Sequence, residues 1–212
     1  MDTLVIAHYN ENLEWLKSVD VPMKIVVYHK SKDDTGCWNG EVLPNVGREA
    51  HTYLHHIITH YDELIRDDQN QDKCTFFSQG SLTDHFKRPL QHIKKSLESA
   101  RSHGVSNIGC VKLTDISNFR LRDYRDEDLT PSVVDGKEEN FGEWFKRVLG
   151  DDGRPIPTPL YCVWGACFAV LNSVIVRRPK SFYEKLLKEC DYSSCPESAH
   201  FLERAWQYIF KS

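Results

Sequence analysis

From Arg48 to Leu64 the apolar residues fall at Ala50, Tyr53, Leu54, Ile57, Ile58, Tyr61 and Leu64. The steps are three and four, which lines them up along one side of an α-helix. A helix with a single apolar stripe must lie on another apolar surface, and short apolar runs flank it. Thr3–His8 (TLVIAH) and Met23–Lys30 (MKIVVYHK) precede it, and Cys74–Ser78 (CTFFS) follows it. Their length and their β-branched and aromatic content predict buried strands. Strand and helix therefore alternate through the first half, the pattern of parallel βαβ units. In such sheets ligands bind beyond the carboxyl ends of the strands. That rule points to Ala7–Glu11, to the loop after Tyr28, and to Ser78–His85.

The rest of the chain extends the pattern. Residues 10–19 predict a helix, and 31–40 read as a loop by composition. Asp84 to about His103 predicts a helix with Phe86, Leu90, Ile93, Leu97 and Ala100 on one face, closed by Gly104. Asn107–Leu113 predicts a strand. The stretch 115–140 is long and charged, with no periodicity, and long loops in compact domains are often functional. Phe141–Gly150 predicts a short helix, and Leu160–Val170 is an apolar run interrupted by Gly165. Helices near Lys180–Cys190 and Glu197–Phe210 close the chain. The expected organisation is one α/β domain over 1–212, with a nucleotide-binding half over about 1–115 and an acceptor half over about 116–212.

Composition narrows the function classes. Hydrophobic residues make up 40% of the chain and charged residues 27%, which predicts a soluble globular domain with a core of its own. A formal net charge of -4 argues against broad nucleic-acid binding, which leaves a basic footprint. It allows a small phosphorylated ligand, which needs only a local positive site. Seven cysteines at 37, 74, 110, 162, 167, 190 and 195 include no C-x-x-C pair. They read as buried free thiols in a reducing compartment. No run approaches the roughly 18 apolar residues of a membrane span, and the first residues lack the basic start of a signal peptide. The expected location is the cytosol.

Several motifs carry chemistry. Ala7, His8, Tyr9 and Asn10 follow the first strand and offer an imidazole, an aromatic face and an amide to a base or ribose. Asn10 reads equally as a cap for the next helix. Gly47 and Arg48 stand at a helix start, where free N–H groups favour an anion and a guanidinium adds a charge-assisted contact. The alternative is an exposed arginine paired with Glu49. His51, His55, His56 and His60 form i,i+4 pairs without an H-E-x-x-H pattern; His51, nearest the helix start, is the one placed to meet a ligand. Asp126–Asp128 is the literal D-x-D, but it lies among charges that suggest surface ion pairs. The acids at Asp33–Asp34, Asp67–Asp68 and Asp151–Asp152 read as loop residues. Ser194-x-x-Glu197, with Pro196 between, is a capping box. Glu197, His200 and Arg204 then share a face away from the apolar stripe. Trp164 could stack on a sugar ring or simply be buried, and Gly165 permits close backbone approach.

Together, "IAHYNENLEWL", "LPNVGREAHTYLHHII", "FFSQGSLTDH", "WGACFAV" and "AHFLERAWQYIF" resemble a small family of glycosyltransferase-like domains. The family includes the N-terminal domains of large chlorovirus proteins that build capsid glycans. The resemblance spans nearly the whole chain. It implies a GT-A fold, a central mixed, mostly parallel sheet flanked by helices, that binds a UDP-sugar with Mn²⁺ or Mg²⁺. The implied donor sugar is glucose- or rhamnose-like and the acceptor a glycan. The implied setting is viral glycan synthesis in a host cytosol, with further domains C-terminal in a longer chain. Residue by residue, the uridine site falls on Ala7, His8, Tyr9 and Asn10. Base or phosphate contacts fall on Arg48 and His51, and a later metal or diphosphate ligand on His200.

The family's strand-end D-x-D falls on Ser78, Gln79 and Gly80, which supply no carboxylate. Asp84 and His85 are the nearest ligands, so the expected metal set is Asp84, His85 and His200, with Ser78 by the nucleotide and Gln79 facing the sugar. Asp84 reads equally as the cap of the next helix. Trp164 and Gly165 fall in the sugar and acceptor region. Glu197 is the candidate base for an inverting course. A retaining course needs none, and the resemblance leans that way. The rival readings are an inactive sugar- or nucleotide-binding module and a nucleotidyltransferase. The second wants a Lys/Arg-rich triphosphate site at the first loop, which "AHYNENLEW" lacks.

Overall fold

The computed structural model describes residues 1–31, 38–66, 71–121, 137–150 and 155–211. Among these residues the main sheet has five strands. They are β1 (Asp2–His8), β2 (Met23–His29), β3 (Gly40–Val42), β4 (Cys74–Gln79) and one strand from late in the chain, Phe168–Leu171. Their order is β3-β2-β1-β4 followed by that late strand, which alone runs antiparallel. The long helix predicted from the apolar stripe is α1, Arg48–Arg66. It carries the chain from β3 at one edge across to β4 on the far side of β1. The order of strands therefore reverses between β1 and β4, the place where open α/β sheets hold their ligands.

Alternation along β1 explains why both faces are covered. Val5 and Ala7 pack with the α1 side of the core, through Tyr53, Leu54 and Ile57. Leu4 and Ile6 point the other way, towards Ile93, Leu97 and Ala100. Successive side chains of a strand alternate faces, and a parallel sheet buried on both sides needs apolar residues at every position. That is why TLVIAH reads as an unbroken apolar run.

Five expectations are corrected. The helix expected from Asp84 to His103 is two: α2 (Leu82–His85) and α3 (Pro89–His103). Pro89 has no N–H for the ladder and disfavours helical backbone at Arg88, so it opens a new helix instead of continuing one. The helix expected over 10–19 is a single 3₁₀ stretch, Glu14–Ser18. β3 arises in what composition marked as loop and its edge. The strand expected over Asn107–Leu113 shrinks to β5 (Cys110–Leu113), which pairs antiparallel with β6 (Leu160–Val163) in a separate two-stranded sheet. The apolar run 160–170 is thus split between two sheets, β6 and then β7 (Phe168–Leu171). The turn that splits it, Trp164–Ala166, has positive φ at Gly165 and Ala166.

The remaining helices are α4 (Phe141–Val148), α5 (Asn172–Ile175), α6 (Lys180–Cys190) and α7 (Glu197–Lys211). α4 begins with a capping box in which Asn140 and Glu143 satisfy each other's backbone N–H. α7 buries Phe201, Leu202, Ala205, Trp206, Ile209 and Phe210, the stripe expected from sequence. No helix among the described residues is long and apolar enough to cross a membrane. The D-x-D at Asp126–Asp128 and the acid pairs at 33–34, 67–68 and 151–152 lie outside the described residues.

Candidate functional site

A cleft of about 220 Å³ opens at the carboxyl ends of β1, β2 and β4. Ala7, His8 and Tyr9 form one wall and Gln79 the other, so it straddles the point where strand order reverses. Lys30, Arg48, Glu49 and Ser194 close the side towards α1 and α7. Two other depressions are of similar size. One surrounds Glu197 and Glu189, and the other includes Met1, Thr3, His60 and Asn172 at the opposite end of the sheet. Position at the strand ends, and not size, selects the first.

The start of α1 has an unusual backbone. The backbone takes positive φ at Gly47 (64°) and again at Arg48 (50°). A β-carbon at Gly47 would lie 2.7 Å from the Cys190 carbonyl oxygen, so only glycine fits there. Gly47 N–H donates to Ser193 O at 2.7 Å, which ties the entry of α7 to the entry of α1. Left-handed backbone at a non-glycine residue costs on the order of 1–3 kcal/mol and persists where surrounding structure enforces it. Here it sets the guanidinium at the cleft. The N–H groups of the first turn of α1 have no intrahelical acceptor, and they open the helix towards Arg48 and Lys30. Arg48 Nε lies 3.4 Å from Glu49 Oε2, the pairing foreseen as the alternative; Glu49 holds the guanidinium firmly protonated.

Lys30 is the cation that sequence reading missed. It follows β2 directly, is buried, and donates to Val46 O. Burial lowers its pKa to about 8, against the pull of Glu49 and Asp191. A charged residue closing an apolar strand was the available signal. His8 and His29 add to the same end of the sheet. Their Nδ1 atoms are 2.9 Å apart, while His8 Nε2 meets Glu11 O and His29 Nε2 meets Trp38 O.

Two carboxylates face these cations. Glu49 is buried at the helix start. Glu11 accepts from Tyr9 N–H at 2.7 Å and lies against Gly80, where a β-carbon would come within 2.7 Å of Glu11 Oε2. Gln79 donates from Nε2 to Gly165 O at 2.8 Å, and Gly165 N–H donates to Glu203 Oε1 at 2.7 Å. One turn thus links the cleft to α7. Burial and the nearby Glu49 raise the pKa of Glu203. Glu203, one helical turn beyond His200, was also missed; its i,i+3 spacing from His200 was the signal.

The expected residues scatter around this frame. Ala7, His8, Tyr9, Arg48 and Gln79 line the cleft, with Tyr9 exposed. Asn10 is exposed beside it. Ser78 is fully buried and its hydroxyl donates to Gln79 O, so β4's alternation sends Gln79, not Ser78, to the ligand side. His51 is buried, 3.5 Å from Asp191, with its pKa lowered to about 4 by burial and by Lys30. Glu197 does not line the cleft. Both its oxygens lie 3.2 Å from Arg120 Nε, and Oε1 accepts from Leu121 N–H. Trp164 does not line the cleft; it is 43% exposed, with the Arg204 guanidinium 4.9 Å from its ring centroid. Gly165 is required, because its φ is positive and a β-carbon would press on the His85 ring at 3.1 Å.

The three expected metal ligands are not brought together. Asp84 and His85 are exposed on α2, while His200 Nε2 lies 3.5 Å from Cys195 Sγ. Among the described residues no three His, Cys, Asp or Glu side chains form a group able to hold a metal ion. A divalent ion that bridges a diphosphate needs only one or two protein carboxylates. Glu11 and Glu49 are the hard oxygen donors that line the cleft, and they suit such an ion.

Comparison with known proteins gives one match. No curated protein and no solved structure matches the chain. The model of a family described as "Protein of unknown function (DUF3431)" matches residues 4–212. The chain, with its cleft at the reversal of strand order, belongs to that family.

Proposed function

We propose that this protein is a glycosyltransferase that takes a sugar from a UDP-sugar and passes it to a glycan. The observation that carries the reading is the pairing of Arg48 and Lys30 with the start of α1 in a cleft at the reversal of strand order. That combination suits a diphosphate, with a nucleoside lying along Ala7–Tyr9. The resemblance of the sequence motifs supports uridine as the base, a glucose- or rhamnose-like sugar, and a GT-A arrangement of the sheet.

The chemistry follows from charge. As the sugar–phosphate bond breaks, negative charge grows on the diphosphate, and Arg48 and Lys30 stabilise it. A divalent ion, when bound, would neutralise further charge there, with Glu11 and Glu49 as its protein ligands. Gln79, fixed through Gly165, faces the sugar. Glu197 is committed to Arg120 and away from the cleft, which supports a retaining course that needs no protein base.

The test is release of UDP from UDP-glucose in the presence of Mn²⁺, followed with and without a glycan acceptor. Metal-dependent release that is lost in Arg48→Ala supports the reading. Tight UDP binding with no turnover of any UDP-sugar would instead make the protein a nucleotide-binding module.

A further inference from the structure

The turn at Trp164–Ala166 holds left-handed backbone twice, at Gly165 (φ 74°) and at Ala166 (φ 49°). Such backbone at a non-glycine residue persists where its surroundings enforce it, and it gathers at functional sites. Side chains from α7 and β4 hold this turn. Gly165 N–H donates to Glu203 Oε1 at 2.7 Å, and the other Glu203 oxygen lies 3.7 Å from Arg204 Nη1. Gly165 O takes the Gln79 amide at 2.8 Å and the Cys167 thiol at 3.1 Å. A carbonyl oxygen only accepts hydrogen bonds, so the end of the Gln79 amide that faces it is the NH2 group. Oε1 is then the free end of a residue that lines the cleft, and no protein donor among the described residues reaches it.

We infer that Glu203 is a positioning residue that sets Gln79 as a hydrogen-bond acceptor in the cleft, and that the ligand places a hydroxyl against Gln79 Oε1. A glutamine free to turn presents either end of its amide, and so accepts or donates as the ligand requires. Glu203 removes that freedom at one remove. It does not line the cleft; it fixes Gly165, and Gly165 fixes the amide. The selection that results is for a donor. A hydroxyl satisfies Oε1, whereas an ether, a carbonyl or a bare methylene leaves it unpaired, which costs affinity in a site closed to water. That the hydroxyl belongs to a sugar rests on the proposed function; the hold of Glu203 on Gln79 does not.

The hold is read on the full chain without ligand, from the side-chain amide of Gln79 by heteronuclear NMR of nitrogen-labelled protein. One Nε2 proton of Gln79 should exchange with water about tenfold or more slowly than the side-chain amide of exposed Asn10. Glu203→Ala should shift that signal and remove its protection. Glu203→Gln, whose amide oxygen still accepts from Gly165 N–H, should keep it. An unprotected Gln79 amide in the unaltered chain, or one that Glu203→Ala leaves unmoved, would overturn the inference. Should Glu203→Ala fail to fold, protection in the unaltered chain and in Glu203→Gln still decides. The hydroxyl is read from UDP release with UDP-glucose and each of its single-deoxy analogues. One analogue should lose roughly three- to tenfold in kcat/KM against UDP-glucose on the unaltered chain, and that ratio should close in Gln79→Leu. Equal ratios in both proteins for every analogue would overturn the acceptor role. If the unaltered chain releases no UDP at all, the sugar falls with the proposed function, and the NMR result alone judges the hold of Glu203 on Gln79.

Discussion

Gly80 leaves no room for a β-carbon, because Glu11 fills the space: Oε2 would lie 2.7 Å from it and Cβ 3.1 Å. Gly80 also passes its N–H to Ala7 O and takes the Trp15 indole N–H on its carbonyl at 2.8 Å. The end of β4 and the loop after β1 are therefore one unit. A carboxylate is present beside Ser78-Gln79-Gly80 after all, but it comes from the first loop.

Substituting Gly80→Ala tests this contact. The clash is with a flexible carboxylate and its stem, so the fold should hold, with a melting temperature within about 4 °C of the parent. The Glu11 carboxylate must move. We expect the Mn²⁺-dependent part of UDP binding to weaken while the metal-independent part is kept. Equal metal dependence in both proteins would show that Glu11 is not a ligand.

Arg48 separates binding from stability. Glycine relieves the positive φ at this position but removes the guanidinium. Arg48→Gly should stay within about 1 kcal/mol of the parent in urea unfolding, yet bind UDP roughly tenfold or more weakly, as fits a lost charge-assisted contact worth about 1.5–3 kcal/mol. Unchanged UDP affinity in the glycine variant would remove Arg48 from the site.

Lys30 gives a pH signature. Its folded pKa is lowered to about 8 by burial, below its ordinary value of 10.5. Between about 8 and 10.5 the unfolded chain holds the proton and the folded chain does not, so this residue's contribution makes stability rise with pH in that window. Binding has the opposite sense. The ammonium is lost as pH passes 8, so UDP affinity should fall between pH 7 and 9 in titration calorimetry. In Lys30→Arg, which keeps its charge, that fall should flatten. A pH-independent affinity in the parent would count against Lys30 as a diphosphate contact.

Glu197 should behave as a structural residue. Its ion pair with Arg120 is buried on both sides. Glu197→Gln removes the negative charge facing a buried guanidinium and should cost on the order of 3 kcal/mol by chemical denaturation. UDP affinity should be unchanged at a temperature where the variant is folded. A stable variant that loses turnover would restore Glu197 as the base.

The sheet was legible because its strands are buried on both faces and so show as runs, and α1 because its stripe is long. The split at Arg88 was legible in principle, from Pro89. β3 was not, because three exposed residues carry no pattern. The site was readable only where a residue sits at a strand end or helix start: Ala7, Gln79, Arg48. Lys30 and Glu49 also stand at a strand end and a helix start but carry no pattern that singles them out, and Glu11 joins through the packing of the first loop on Gly80. Glu197 read as a helix cap or a base, and not as an ion-pair partner, because Arg120 lies 77 positions away in sequence.

The most direct measurement is a thermal-shift comparison of UDP, GDP and CDP, each with and without Mn²⁺, on the unaltered chain. A ligand that binds the folded state raises the melting temperature by mass action. A diphosphate site at Arg48 and Lys30, with uridine along Ala7–Tyr9, predicts the largest rise for UDP with Mn²⁺, lost in Arg48→Ala. No rise with UDP plus Mn²⁺ at millimolar concentration would contradict it.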